Sequence, residues 1–383
     1  MLLYFLTLYD INLKGQQIPL FASISILGSD FIMAIFTKKR IVSVCLAVAL
    51  FTSIVTGLLV NSIISNRILY ETQERIRDTL NAARWVYATR INDIDRVVRL
   101  TSRRYIVMDA LRRESPSSIK NDMLNLMVEE KLDFLTLVSR KGTVLYRFHN
   151  PGASGDSALD DPFFKESLSK RGVSGTQVLL REALLMEGEG LAKRAVFQLV
   201  LIPKEKPTEK LEETSAMVLK SAHPVMDTNG AILGILMGGV LLNRNYEIVD
   251  QMKQIVFKSA KYRGKDIGTA TIFLGDLRIA TNVIDREGHR AVGTRVMKEV
   301  GEHVLEKGLS WVHRAYVVDD WYITAYEPIR DIEDNIVGIL YVGLLETKYI
   351  VLIEKLIFIF MLGMLVSVAV ASFLLIRILR KAP

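Results

Sequence analysis

The sequence has one cysteine in 383 residues, and that residue, Cys45, sits inside an uncharged apolar run. A lone cysteine excludes an internal disulfide, and the rest of the chain has neither a Cys-based metal site nor a thiol nucleophile. The five histidines, at 149, 223, 289, 303 and 313, are scattered. None forms HExxH or the paired spacing that zinc requires, so neither metal nor cofactor is expected. The glycine-rich run Gly234 to Gly239 lacks the Lys-Ser/Thr of a phosphate loop and reads as strand. Ser154 and Ser157 lie near His149 and Asp156, but no nucleophile elbow or oxyanion glycine pair accompanies them. The basic excess is small, 49 Lys and Arg against 42 Asp and Glu, for a formal net charge of +7. It is mixed with acidic residues and partly confined to two flanks, which argues against a nucleic-acid partner.

Hydrophobic residues, by contrast, make up 50% of the chain. Ile41 to Ile64 and Leu356 to Ile376 carry no charge over 24 and 21 residues. Each run meets the ~20 residues needed to cross ~30 Å of hydrocarbon. Lys38-Lys39-Arg40 precede the first run, and Arg377, Arg380 and Lys381 follow the second. The positive-inside rule then puts both ends in the cytoplasm and exports residues 65–350. Met33 directly before the basic flank reads as a start site, leaving 1–32 as an uncertain extension, with a short extra membrane or interfacial segment as the rival reading.

The exported part writes one line twice. PVMDTNGAILGILMGGVLL from Pro224 and PIRDIEDNIVGILYVGLLE from Pro328 align without a gap, each residue of the second lying 104 positions after its counterpart. Upstream, residues 65–116 carry a helical stripe from Leu69 through Ile76, Leu80 and Tyr87 to Met108, ended by Pro116. This stalk needs either a domain or the stalk of a second copy against its stripe, and homodimerisation through Leu69, Ile76 and Leu80 is the expectation. A shorter helix to about Lys131 gives way to period-two patterning in FLTLVSR and TVLYRFH, a hairpin. A polar loop, a short helix and further strands complete a module over 117–245; Leu201 to Thr214, rich in Lys, Glu and Pro, reads as a solvated loop. An amphipathic helix from Tyr246 opens a second module over 246–350. The fold class is therefore α+β, two antiparallel-sheet modules in tandem, and the duplicated line is the last hairpin of each. Gly234 and Gly338 mark places where a helix or backbone presses close.

HNPGASGDS (149–157), GDLRIATNV (275–283), HRAVGTRV (289–296) and the run from Trp311 to Glu346 together resemble the double Cache sensors of bacterial chemoreceptors and sensor histidine kinases. The resemblance covers roughly 65–350. It implies PAS-like modules, an inner-membrane receptor with a periplasmic ligand-binding region, a homodimer, and cytoplasmic signalling partners reached through an output domain. It implies no enzyme activity in this chain. Receptors of this kind continue into a HAMP helix, and residues 377–383 stand where one would begin, so a fragment or an output on another chain is expected. A membrane-anchored solute-binding accessory protein and, less strongly, a membrane-anchored hydrolase are the rivals.

Alternation in TVLYRFHN puts Arg147 and His149 on one strand face at a loop mouth containing Asn150 and Asp156. An arginine fork suits a carboxylate ligand, and a structural ion pair with Asp156 or Asp161 is the alternative; both remain open. Arg278, Thr281, Asn282, Arg290, Thr294 and Arg295 cluster similarly in the second copy, where some are expected only to tie a loop down. The expected ligand is a small organic anion in the membrane-distal module, at Arg147.

Overall fold

The computed structural model describes residues 38–381 apart from 170, 203, 258 and 259. Met33 and residues 1–32 lie outside the described residues, as does the side chain of Leu69. Two compact units emerge: Asn66–Leu352, and the two chain ends Met1–Ser65 with Ile353–Pro383.

Helix α1, Lys38–Ser102, is the expected stalk and more, but it ends before Pro116. Ser102 Oγ turns back to the Arg99 carbonyl at 2.9 Å, and Arg104 is extended at φ −66°, ψ 136°. Short hydroxyl side chains that bond the preceding turn compete with helix propagation. The chain resumes as α2, Tyr105–Arg112, which buries Val107 and Ala110. Ile76, Leu80, Ala83, Ile94 and Val98 of α1 are all buried in the core of the same chain. The stripe is covered by its own domain, so Ile76 and Leu80 are unavailable to a second copy; this corrects the expectation of a dimer seam there.

A further helix, α3 (Lys120–Glu129), leads into the first sheet. Its strands are β1 (Phe134–Ser139), β2 (Val144–Arg147), β3 (Val173–Leu179), β4 (Ala216–Met226) and β5 (Ile232–Leu241), in spatial order β2-β1-β5-β4-β3. Between β2 and β3 lies α4 (Pro162–Ser167), and between β3 and β4 lie α5 (Arg181–Glu187) and α6 (Glu189–Ala195). Asp161 caps α4, accepting from Phe163 N at 2.8 Å, the role its place before the helix suggests.

The second sheet begins after α7 (Tyr246–Phe257) and comprises β6 (Gly268–Leu274), β7 (Leu277–Thr281), β8 (Trp311–Val317), β9 (Asp320–Arg330) and β10 (Ile336–Leu345). A short helix, α8 (Lys298–Gly301), precedes β8. The order β7-β6-β10-β9-β8 repeats that of the first sheet strand for strand. The 104-residue offset holds in the ladders: Pro224 faces Ile235 and Pro328 faces Ile339, and each pairing has its bulge one residue after Val225 or Ile329. Asp227 and Asp331 accept from the same two turn amides, Asn229 and Ala231 in one copy and Glu333 and Asn335 in the other. The outer ladders end at Ala222 and Tyr326, two residues short of each proline, so neither proline costs a bond to the outer strand. A Cβ on Gly234 would lie 2.5 Å from the Val138 carbonyl oxygen and 3.2 Å from Leu111 of α2; one on Gly338 would strike the Phe273 carbonyl.

One core joins the α1 side of both sheets. The opposite faces differ: Phe134, Val138, Ala222 and Met237 line the first sheet, while Phe273, Tyr322, Tyr326 and Tyr341 fill the second. Residues 201–214 are more than a solvated loop. Residues at and beside this segment strap onto the second module, with Val200 N bonding Gly293 O, Lys298 N bonding Lys204 O, and Lys204 Nζ 4.3 Å from the Trp321 ring centroid. In the other unit, α1 and α9 (Glu346–Lys381) expose Phe51 and Phe358 among many apolar side chains. Among the described residues, these are the two helices long and apolar enough to cross a membrane.

Candidate functional site

The face of the first sheet away from α1 carries a cavity of about 470 Å³ under α5 and the loop 150–161. Its floor follows from strand register: Arg147 on β2 faces Thr136 on β1, which faces Met237 on β5, which faces Ala222 on β4. Two residues along, Lys220 joins from β4, and Gln177 from β3 lies beside it. Five strands and one helix thus converge on one space.

Arg147 is only 5% exposed. Its Nη1 and Nη2 donate to the two Asp156 oxygens at 2.7 and 2.9 Å, and its Nε donates to Glu187 Oε1 at 3.0 Å. The Ala153 carbonyl accepts a further bond from Nη1 at 3.1 Å. The guanidinium beside Asp156 holds that carboxyl below its ordinary pKa. Of the two readings of Arg147 left open by the sequence, the structural ion pair is the one realised, with Asp156 and Glu187 as its partners. His149 lies 3.6 Å from Glu187 but neither ring nitrogen has a hydrogen-bond partner. Burial lowers its pKa, outweighing the pull of Glu187. Asn150 does not reach for a ligand; its Nδ2 donates to the Met186 carbonyl at 2.8 Å, pinning the loop to α5.

Lys220, 5% exposed, pairs with Asp161 and donates to Gln177 Oε1 at 3.0 Å. Burial alone would raise the Asp161 pKa, but Lys220 together with the Phe163 and Phe164 amides more than offsets it and holds the carboxyl down. Lys220, Gln177, Thr136 and Glu187 escaped the sequence reading. Only Lys220 carried a signal, as the one charge in the apolar strand AMVLKSA. The cavity wall totals five carboxylates, Asp156, Asp160, Asp161, Glu182 and Glu187, against two cations, Arg147 and Lys220.

The second-copy cluster separates on inspection. Thr281 bonds Thr271 at 2.6 Å, and Asn282 bridges Ala270 N and Val249 O. Arg290 is held bidentately by Asp250 at 2.8 and 2.7 Å, and Arg295 pairs with Asp276 while donating to Lys206 O. These four tie loops to strands, as part of the cluster was expected to do. Arg278 and Thr294 lie elsewhere, on the aromatic face, where Arg278 Nη1 donates to Thr294 Oγ1. Tyr322 and Tyr326 are buried core; Tyr316 and Trp321 meet edge to face at 5.6 Å beneath Lys204.

Two five-stranded sheets of identical order, each entered by a helix, are the architecture the sequence resemblance implies. Residues 240–356 match the model of single cache domain 3. The match spans the second module; the first module shares its strand order and the 104-residue register. Similar solved structures are the periplasmic domain of Vibrio cholerae LuxQ (10% identity, 70% of this chain and 98% of that one, TM-score 0.41) and the sensor domain of the V. cholerae histidine kinase DctB (11%, 73% and 98%, 0.40). The ligand-binding domain of the Pseudomonas aeruginosa PAO1 chemoreceptor PctB, solved with L-Arg, is similar at 14% identity over 73% of this chain and 95% of that one, with a TM-score of 0.33. No curated protein matches the sequence.

Proposed function

We propose that the chain is the sensory region of a membrane receptor, anchored in the inner membrane by its two apolar helices, whose first Cache-like module binds a small extracytoplasmic molecule bearing a cationic amine. The observation that carries this reading is the 470 Å³ cavity with its acidic wall. A carboxylate ligand, the expectation from Arg147 alone, would have to displace Asp156 and Glu187 from a guanidinium they already occupy. An amine meets Glu182 and Asp160 instead, exposed lining residues that form no salt bridge among the described residues. A zwitterion satisfies both signs of charge.

The sheet offers a route for the signal. Successive residues of a strand face opposite sides, so the neighbours of Gln177 and Lys220 face α1. Thr176 Oγ1 lies 2.7 Å from Tyr87 Oη of α1, Ser221 Oγ donates to Asp95 at 3.2 Å, and His223 Nε2 is 2.8 Å from the same carboxylate. In the second module Glu327 of β9 takes Arg84 of α1 at 2.9 Å. A ligand that favours one spacing of β3 and β4 thereby biases the seat of α1, which is what a population shift requires.

The full chain in detergent, screened by thermal unfolding against amines, amino acids and dicarboxylates, tests this. Amine-bearing compounds should stabilise by about 2.7 kcal/mol at a hundredfold excess over Kd, rising with the logarithm of concentration. Ala183→Trp, placing a large side chain from the exposed face of α5 into the cavity, should abolish the effect without loss of fold. Stabilisation by dicarboxylates alone and sensitive to Ala183→Trp would overturn the ligand class; amine binding unaffected by that substitution would overturn the site.

A further inference from the structure

We propose a second ligand site, independent of the first: a small monocarboxylate held by Arg278 inside the second module. Arg278 is 1% exposed. Its Nη1 donates to Thr294 Oγ1, its Nε has no partner, and its guanidinium lies 5.0 Å from the Phe273 ring centroid. Among the described residues no carboxylate pairs with it, and the groups around it are the hydroxyls of Tyr322, Tyr326 and Tyr341. Arginine has five N–H donors and no acceptor, and it stays charged. Burying such a group without a counter-charge is strongly unfavourable. The comparison within the same chain is direct, since the equally secluded Arg147 has two carboxylates.

Its place in the fold says what the missing charge is for. Arg278 faces Phe273 across the ladder as Val144 faces Val138, each pair standing just beyond a bulge in β6 or β1. Val138 and Val144 are walls of the first module's cavity. Arg278 therefore stands on the face of the second sheet that corresponds to the cavity face of the first. Tyr341 and Tyr326 occupy the register positions of Met237 and Ala222 and take up most of the room. What fits is compact: one carboxylate for a bidentate fork, with a tail of one or two carbons against the tyrosine rings, on the scale of formate to propionate.

Full-length protein is titrated with sodium formate, acetate and propionate against sodium chloride at equal ionic strength, reading thermal unfolding and line broadening of 13C-acetate. At least one carboxylate should raise Tm in proportion to the logarithm of its concentration above Kd, where chloride does not. Arg278→Met should erase that dependence and start from an anion-free Tm no lower than the parent's, because methionine leaves no charge to bury. Ala183→Trp should leave the carboxylate effect intact, which separates this site from the cavity of the first module. No shift beyond that of chloride with any of the three acids, or a shift that survives Arg278→Met, overturns the proposal. Should Arg278→Met fail to fold, Thr294→Val decides. Removing the hydroxyl that accepts from Nη1 frees that donor and should shift carboxylate affinity by up to about tenfold, and unchanged affinity counts against the site.

Discussion

Arg147 shows how a single side chain can be placed correctly by sequence and still change meaning in three dimensions. Alternation along β2 put it on the cavity face, and Asp156, nine positions on, was visible as a partner. Glu187 was not, because nothing local joins a strand residue to a helix forty positions later. Glu187 is secluded and Asp156 about a third exposed, and Arg147→Ala leaves both without a cation. We predict a loss of stability on the order of 2–3 kcal/mol, below the cost for a fully buried pair because Asp156 keeps part of its solvent, seen as a lower Tm without any ligand present. Arg147→Lys should recover only part of it, since an ammonium cannot reproduce the three-way fork. If Arg147→Ala instead leaves Tm unchanged and abolishes ligand binding, the guanidinium is free for ligand after all. The same locality explains Arg278: its strand position was legible, but its seclusion from every carboxylate depends on which aromatic residues close over it.

At the level of elements, the duplicated hairpin was readable to the residue because equal spacing of Pro, Asp and Gly carries backbone geometry with it. Gly234 and Gly338 were legible as close approaches, though not what approaches them. Adding a methyl at either should cost about 1–3 kcal/mol, the usual penalty for overpacking, since carbonyl oxygens of β1 and β6 stand in the way. Gly190→Ala, with open space at that position in α6, should be neutral or slightly stabilising. Equal effects at all three would show that close approach does not set the requirement. The break of the stalk at Arg103–Arg104 was not legible. No proline or glycine marks it, and what favours it is the burial of α2 against the sheet, a contact with residues more than a hundred positions away.

Across the whole molecule, the two apolar runs and the two modules were legible from composition and repetition. The strap at 201–214 was not, because a polar segment that docks has the same composition as one that does not. The two-module region should also respond to acid in a defined way. His149 and His223 both have pKa values lowered by burial from the ordinary 6.5, against the pull of Glu187 on one and Asp95 on the other. Arg147 also faces His149, and Arg99 and Arg103 face His223, adding to the depression. The unfolded chain therefore binds more protons just below pH 6.5 than the folded one, so stability falls as pH drops through that range, by at most about 1.4 kcal/mol per pH unit for each ring. His149→Gln should flatten the slope measured by thermal unfolding between pH 7 and 5; an unaltered slope would assign the effect elsewhere. Lower still, Asp156, held below its ordinary 3.8 by Arg147, gives up its stabilisation as pH falls through the carboxylate range. The shared register of the two hairpins has a last consequence, for assembly. Backbone hydrogen bonds cannot tell β5 from β10 as a partner for β4, since length, bulge and turn coincide. Only bulk distinguishes them: Ala222 accommodates Met237 where Tyr326 meets Tyr341. Side-chain volume is thus the address label on each strand, and synthesis from the N-terminus delivers the first parcel before the second has been written.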